Sequence, residues 1–138
     1  MIRRPPRSTL DRSSAASDVY KRQHLGILRF EENRVEVALT CYERGEAAAL
    51  ARTIGDPKKY EGSFWLDVDS RPYMRGLHGK GLCLWRLGRT HEADQVFALM
   101  LRLNPNDNQG VRFLIPDMDA GLTWEESMAR DEQARASS

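Results

Sequence analysis

Gly88 separates two segments whose apolar side chains recur every three or four residues, and Asn104-Pro105 closes the second segment. This spacing puts the apolar side chains on one face of a helix. A glycine accommodates the reversed backbone at the end of a helix, and a proline cannot continue one. The pattern therefore predicts two helices, over residues 71–87 and 91–103, that fold back on each other as a hairpin.

The rest of the chain also has helical spacing. It predicts helices over residues 32–54 and 108–115 and a last helix that ends near residue 135. Gly45 is expected to split the first of these into two helices, and Pro116 is expected to interrupt the second. No segment alternates in the manner of a strand. The predicted fold class is therefore all-α.

Residues that can cap a helix precede the predicted helices. Ser70 and Thr90 are expected to cap the helices over 71–87 and 91–103, because a hydroxyl oxygen can accept a hydrogen bond from a free N–H of the first turn. Asp107 or its neighbour Asn106 is expected to cap the next helix. Residues 123–126 have the sequence of a capping box, in which the threonine and the glutamate each accept from the other's backbone.

Residues 58–69 are predicted to be a loop, but they carry many large apolar side chains for a loop. The members are Tyr60, Phe64, Trp65, Leu66 and Val68. One interpretation is a segment packed against the helices, and the other is an aromatic lip that binds a peptide. The sequence leaves both open and favours packing.

The N-terminal segment, residues 1–23, is rich in arginine, proline and serine and has no apolar periodicity. This composition predicts a disordered tail. Residues 1–9 and 13–23 also back-translate into codons that resemble, in order and in one frame, a flow-cell adapter and the transposase end sequence used in tagmentation libraries. Residues 10–12 fall where the variable index would lie. The segment is therefore interpreted as adapter-derived, and residues 24–138 as a fragment of a longer gene.

Excluding this segment changes the charge. The whole chain has 21 basic and 20 acidic residues, and residues 1–23 hold six of the basic and two of the acidic ones, which leaves 15 and 18. The remainder therefore carries a net charge of about −3 and lacks the clustered basic face expected of a nucleic-acid-binding protein. No apolar run is long enough to cross a membrane.

The predicted hairpin fits a 34-residue helical repeat frame. The tetratricopeptide repeat has this length, and placing its final proline at Pro105 makes residues 74–107 one repeat. Gly81 and Ala93 then lie where the two helices cross, and Phe97 is expected to fill the space toward the next repeat. Residues 32–54 and 108–135 would be degenerate neighbours. The repeat core is Leu77, Gly81, Leu84, Gly88, Ala93, Phe97, Met100 and Pro105.

A family resemblance covers roughly residues 58–115. The segments GSFWLDVDSRPYMRGLHGKG, LWRLGRTHEA and MLRLNPNDNQGVRFL resemble bacterial tetratricopeptide proteins akin to the suppressor-of-tumorigenicity family. The resemblance implies an array of paired helices without known catalytic residues. Asp67 to Ser70 and Pro116 depart from the family pattern.

Repeats of this type bind extended peptides on the concave face formed by the first helix of each pair. The repeat frame assigns six residues to this face: Arg75, His78, Leu82, Trp85, Gln109 and Arg112. The cationic members are spaced to clamp an acidic segment, and Leu82 and Trp85 could form an apolar floor. Alternatively, Leu82 and Trp85 pack against the preceding unit, and the arginines are solvated or paired with surface acids.

No catalytic or metal site is predicted. His24, His78 and His91 are not at metal-ligand spacing from each other or from Cys41 and Cys83. The two cysteines are far apart in the sequence and are expected to be small buried side chains in a reducing, cytoplasmic protein. We expect no cofactor and no enzymatic activity.

The sequence thus predicts a binding scaffold that recruits a peptide or protein partner of unknown identity. The alternative is a helical accessory domain of a larger enzyme whose catalytic part lies elsewhere in the intact gene. Because stacked repeats bury their faces on their neighbours, a fragment with few repeats is also expected to self-associate.

Overall fold

A computed structural model describes the backbone of residues 7–52 and 70–137, and the side chains of residues 19–51 and 70–137. Within these ranges the chain is all-α, as predicted, with no strand. A short 3₁₀ turn, Val111–Phe113, precedes the fifth helix. The helices are α1 (Arg7–Glu31), α2 (Val35–Arg52), α3 (Arg71–Arg86), α4 (Thr90–Leu103), α5 (Ile115–Asp119) and α6 (Trp124–Ala136).

The first four helices form two pairs, α1 with α2 and α3 with α4, and α2 packs on α3. In the second pair, a Cβ at Gly81 would overlap the ring of Phe97. In the first pair, a Cβ at Gly26 would lie 3.0 Å from Cε2 of Tyr42. Each pair therefore closes on an aromatic ring of its second helix that packs against a glycine of its first helix.

The two pairs match position by position. Three positions of the first pair have counterparts 55 residues later in the second: 26 and 81 (Gly and Gly), 38 and 93 (Ala and Ala), and 42 and 97 (Tyr and Phe). Both alanines are fully buried. The turns also correspond, because Asn33 has φ 61° and Gly88 has φ 81°. The same left-handed turn is thus made by Asn in one pair and by Gly in the other.

A single apolar core runs through both pairs. Its largest fully buried side chains include Trp85, Phe97, Met74, Leu77, Met100 and Leu103. At the boundary between the pairs, Lys80 of α3 forms a half-buried ion pair with Glu46 of α2, with 3.1 Å between Nζ and Oε2. Apolar packing and this ion pair therefore both contribute to holding the two pairs together.

Two adjacent residues at the end of α3 attach the C-terminal segment. The indole N–H of Trp85 donates to the carbonyl of Leu122 at 2.9 Å. The guanidinium of Arg86 lies over two rings, with its Cζ 4.7 Å from the ring centre of Phe30 and 4.4 Å from that of Trp124. It also donates to the carbonyl of Phe30 at 2.7 Å. Since Phe30 belongs to α1 and Trp124 to α6, Arg86 joins the first pair to the last helix.

The predicted disordered tail is wrong for the part of it that the structure describes. Helix α1 begins at Arg7 and continues without a break past residue 23. Val19 and Gln23 are buried, and Gln23 Nε2 donates to the carbonyl of Pro72. These two residues and Gly26 share one face of the helix. Packing of this face on α2 and α3 stabilises the helix in this part of the chain.

Gly45 does not split α2, which contradicts the prediction. A Cβ at Gly45 would lie 3.7 Å from Cβ of Arg22 and Cγ of Gln23 on α1. The glycine lies inside a continuous helix where α1 comes close. A glycine in a helix interior costs about 1 kcal/mol relative to alanine, and tertiary packing outweighs that preference here.

The predicted helix over residues 108–115 is also wrong. Asp107 has φ 51° and Gly110 has φ 73°, which interrupts any helix. The carboxylate of Asp107 accepts hydrogen bonds from the backbone N–H of Val111 at 2.9 Å and of Arg112 at 3.0 Å. It therefore caps the 3₁₀ turn instead. Pro116 does not interrupt a helix but lies in the first turn of α5, where a missing N–H costs nothing.

Of the other predicted helix caps, one is confirmed and two are not. The capping box at Thr123 and Glu126 is confirmed, with both reciprocal bonds at 3.1 Å. Ser70 occupies the N-cap position of α3, but its side chain makes no capping bond. Thr90 is already the first residue of α4, and Arg89 takes the N-cap position. The end predicted for the helix over 32–54 and the loop over 58–69 lie outside the described residues.

Candidate functional site

A cavity of about 240 Å³ lies between α1 and α3, and the ring of Tyr42 from α2 lines it. Its lining is Gln23, Ile27, Tyr42, Arg75, His78, Gly79 and Leu82. A Cβ at Gly79 would overlap the Tyr42 ring. The ring therefore lies between Gly26 of α1 and Gly79 of α3, and it forms the floor of the cavity.

Three of the residues predicted to bind a peptide meet at this cavity. Arg75, His78 and Leu82 follow one another at intervals of three and four residues along α3. Such intervals keep side chains on one face of a helix. The structure thus brings together the part of the predicted face that lies on one helix.

The charged groups at this cavity differ in their surroundings. Arg75 is exposed and forms no ion pair within the described part of the chain. Burial lowers the pKa of His78, and the nearby Asp107 carboxylate, which raises it, offsets only part of this effect. His78 is therefore neutral at pH 7, and Arg75 supplies the positive charge of the lining.

Trp85 does not belong to the cavity, contrary to its assignment to the binding face. It is 2% exposed, and its indole N–H is bonded to Leu122. The alternative interpretation, packing in the core, holds for this residue, although the partner is the segment that follows rather than the unit that precedes. An amphipathic pattern cannot separate these cases, because a core and a binding floor both require apolar side chains on one face.

Gln109 and Arg112 also lie away from the cavity lining. Gln109 is half-buried and donates from Nε2 to the carbonyl of Met74 at 3.1 Å, while its Oε1 is buried without a hydrogen-bond partner. Arg112 is exposed, 3.8 Å from the Asp107 carboxylate, and stacks over the ring of Phe113. The clamp predicted from three cationic side chains therefore reduces to Arg75, with His78 neutral beside it.

Four residues that line the cavity were not predicted from the sequence: Gln23, Ile27, Tyr42 and Gly79. Gln23 and Ile27 lie on a helix whose first part was assigned to a tail. Tyr42 could have been found from the spacing of Gly26, Ala38 and Tyr42, which repeats that of Gly81, Ala93 and Phe97. Such a correspondence between the two pairs also requires Asn33 to take the place of the turn glycine, Gly88.

The residues assigned to the repeat core fall into two groups. Leu77, Gly81, Leu84, Ala93, Phe97 and Met100 are buried. Gly88 and Pro105 are exposed at turns, which suits their predicted roles. Phe97 differs in one respect from its prediction, because it contacts Gly81 inside its own pair rather than only filling space toward a following unit.

A larger cavity of about 450 Å³ lies at the turn between α1 and α2 and includes none of the predicted residues. Its lining includes Arg86 and Glu125, which already pair with each other at 2.7 Å. Charges that satisfy each other offer little to a ligand. The smaller cavity is the better candidate because its exposed surface is mainly apolar and none of the described acids pairs with its arginine.

Within residues 19–51 and 70–137, the His, Cys, Asp and Glu side chains form no group of three or more that could hold a metal ion. None of the helices described there has both the length and the apolar character needed to cross a lipid bilayer. Comparisons with protein-family models, with curated proteins and with solved structures each find no match. The geometry of the chain itself therefore carries the functional argument.

Proposed function

We propose that this protein is a tetratricopeptide-type scaffold that binds an extended peptide segment of a partner protein in the cavity between α1 and α3. Two stacked helix pairs support an architecture of repeated pairs, although their matching positions are 55 residues apart and not the 34 residues of the tetratricopeptide frame. In such arrays each pair buries one face on its neighbour, and the first helices line a concave surface. Six of the eight positions assigned to the core by the 34-residue frame are buried and the other two lie at turns, which is consistent with this proposal.

The observation that carries the proposal is the cavity itself. Its walls come from α1 and α3, the first helices of the two pairs, and it combines apolar side chains with one exposed arginine that pairs with no acid among the described residues. Concave, mainly apolar pockets with a few placed polar groups are the usual form of a binding site. An arginine near such a pocket favours acidic partners.

Selection from a random dodecapeptide display library on the full 138-residue chain would test this function. We expect enrichment of peptides that contain acidic residues, and we expect Arg75→Glu to abolish that enrichment. Arg102→Glu is the matched control, because Arg102 is equally a solvent-exposed arginine but lies on α4, away from the cavity. The control should enrich the same peptides as the unmodified chain.

Two outcomes would contradict the proposal. If the unmodified chain enriched no peptide above background, the scaffold function would fail, and a helical accessory domain of a larger enzyme would be favoured. If Arg75→Glu and Arg102→Glu reduced enrichment equally, the binding surface would lie elsewhere or depend only on net charge.

We also propose that residues 1–23 are adapter-derived, so that the first part of α1 replaces native sequence. Amplification of the gene from its source genome should then give different codons upstream of His24. Recovery of the same 23 codons from genomic DNA would overturn this. Gln23 is the last residue before this junction. The other residues that line the cavity, among them Ile27, Tyr42, Arg75 and His78, come after it in the sequence.

A further inference from the structure

The cavity between α1 and α3 is divided into an apolar part and a charged rim. Ile27 of α1 and Leu82 of α3 face it as aliphatic side chains, and the Tyr42 ring closes its floor. Ile27 is 48% exposed, so this wall is accessible. The space exists because glycines at 26 and 79 let the Tyr42 ring lie between the two helices. A larger residue at either position would displace this floor.

The rim lies at the other end of the same stretch of α3. Arg75 precedes Leu82 by seven residues, which is two helical turns or roughly 10 Å along the axis. An extended chain advances about 3.3 Å per residue. A segment lying along α3 therefore reaches from Leu82 to Arg75 in about three residues.

We propose that the cavity recognises a specific pairing in its partner: one large apolar side chain seated against Ile27, Leu82 and Tyr42, and an acidic side chain about two to four residues away that binds Arg75. This inference rests on the proposed peptide-binding function and deepens it. The apolar side chain is favoured by its removal from water, and the acidic one by the exposed guanidinium of Arg75. Charge complementarity thus selects an acidic partner, and the cavity selects its apolar residue.

The remaining charged groups near the cavity are consistent with this division. His78 is neutral at pH 7, and Asp107 is occupied by two backbone N–H groups and by Arg112. Arg75 is then the cation at the cavity that remains available to a partner. The acidic preference should accordingly depend on Arg75 and the apolar preference on Ile27.

The same display selection, read position by position, tests the pairing. On the unmodified chain we expect the selected dodecapeptides to share a large apolar residue with an acidic residue two to four positions away. Ile27→Arg, which places a charged side chain in the apolar wall, should reduce recovery of these peptides at least tenfold. Leu28→Arg is the matched control: Leu28 is its neighbour on α1, is 39% exposed and does not line the cavity, so recovery should be unchanged.

A second variant separates the two halves of the motif. Arg75→Leu should remove the acidic preference while the apolar preference stays. Circular dichroism melting of each variant would verify that the fold is intact before selection. Absence of any enriched peptide on the unmodified chain would overturn the proposed function together with this inference. Enriched peptides without the apolar–acidic pairing, or unchanged recovery on Ile27→Arg, would overturn the inference alone.

Discussion

The two helix pairs use the same glycine–aromatic crossing but give it different surroundings. Phe97 is fully buried against Gly81, whereas Tyr42 keeps 7% of its surface exposed and borders the cavity. The ring of Tyr42 also lies against Gly79 of the next pair, so it forms part of the boundary between pairs. One crossing is therefore only structural, and the other also shapes a candidate binding site.

This difference teaches that one structural position can serve both packing and binding. An aromatic ring is needed at both positions to fill the space that a glycine leaves. A hydroxyl is compatible only with the position that opens to a cavity, because a buried hydroxyl without a hydrogen bond is costly. Substitutions at the two crossings and their turns test this contrast.

The largest effect is expected from removing the aromatic rings. Phe97→Ala should lower the free energy of unfolding by about 3–5 kcal/mol, because the ring is fully buried and leaves a cavity. Tyr42→Ala should cost less, since its surroundings already include a cavity. Urea unfolding followed by circular dichroism measures both. Equal costs would mean that the two crossings are equivalent.

Alanine at the crossing glycines should give the next largest effect. Gly81→Ala should destabilise by about 1–3 kcal/mol through overpacking against Phe97, even though alanine favours the helix. Gly26→Ala should stay within about 1 kcal/mol of the unmodified chain, because its Cβ would lie 3.0 Å from the Tyr42 ring and the helix gain offsets that contact. A harmless Gly81→Ala would show that the second pair has room to relax.

Substitutions at the two turns should change the stability less, and in opposite directions. Gly88→Ala should cost about 1–2 kcal/mol, since an alanine at φ 81° is strained. Asn33→Gly should leave the stability unchanged or raise it slightly, because φ 61° at Asn33 suits glycine better still. Thermal melting of both variants is the measurement. A loss in Asn33→Gly as large as that in Gly88→Ala would contradict this account.

A loss of stability in alkali is the smallest of these effects at pH 9.5, and it grows as the pH rises further. Burial raises the pKa of Cys83 to about 12 and that of Tyr42 to about 12, from 9.0 and 10.0. Both groups stay neutral in the folded chain but ionise when it unfolds, so stability is full below pH 9 and falls as the pH rises toward 12. By pH 9.5 the loss should be about 1 kcal/mol, mostly from Cys83.

Tyr42→Phe makes the first crossing resemble the second and should reduce this decline above pH 10. The variant Cys83→Ala should remove the part of the stability loss that begins near pH 9. Urea midpoints measured from pH 7 to 11 would show both. An unchanged decline in Tyr42→Phe would mean that the Tyr42 hydroxyl already ionises freely in the folded chain.

Local sequence signals were enough to predict the fold class and much of the second pair. The helical spacing, Gly88 and Asn104-Pro105 located α3 and α4 within a residue or two, and Thr123 located the start of α6. These signals are local: a cap, a turn glycine and a proline act within a few residues of their own position. They could be read without knowing what packs against what.

The remaining features depend on packing between helices that are distant in the sequence. Gly45 resembled a break but lies where α1 approaches α2, and Asp107 resembled a helix cap but bonds a 3₁₀ turn. Trp85 and Leu82 have the same apolar character on one helix, yet one enters the core and the other faces the cavity. Which apolar side chain stays open to a partner depends on where neighbouring helices stop covering it, and that is set by packing across the whole chain.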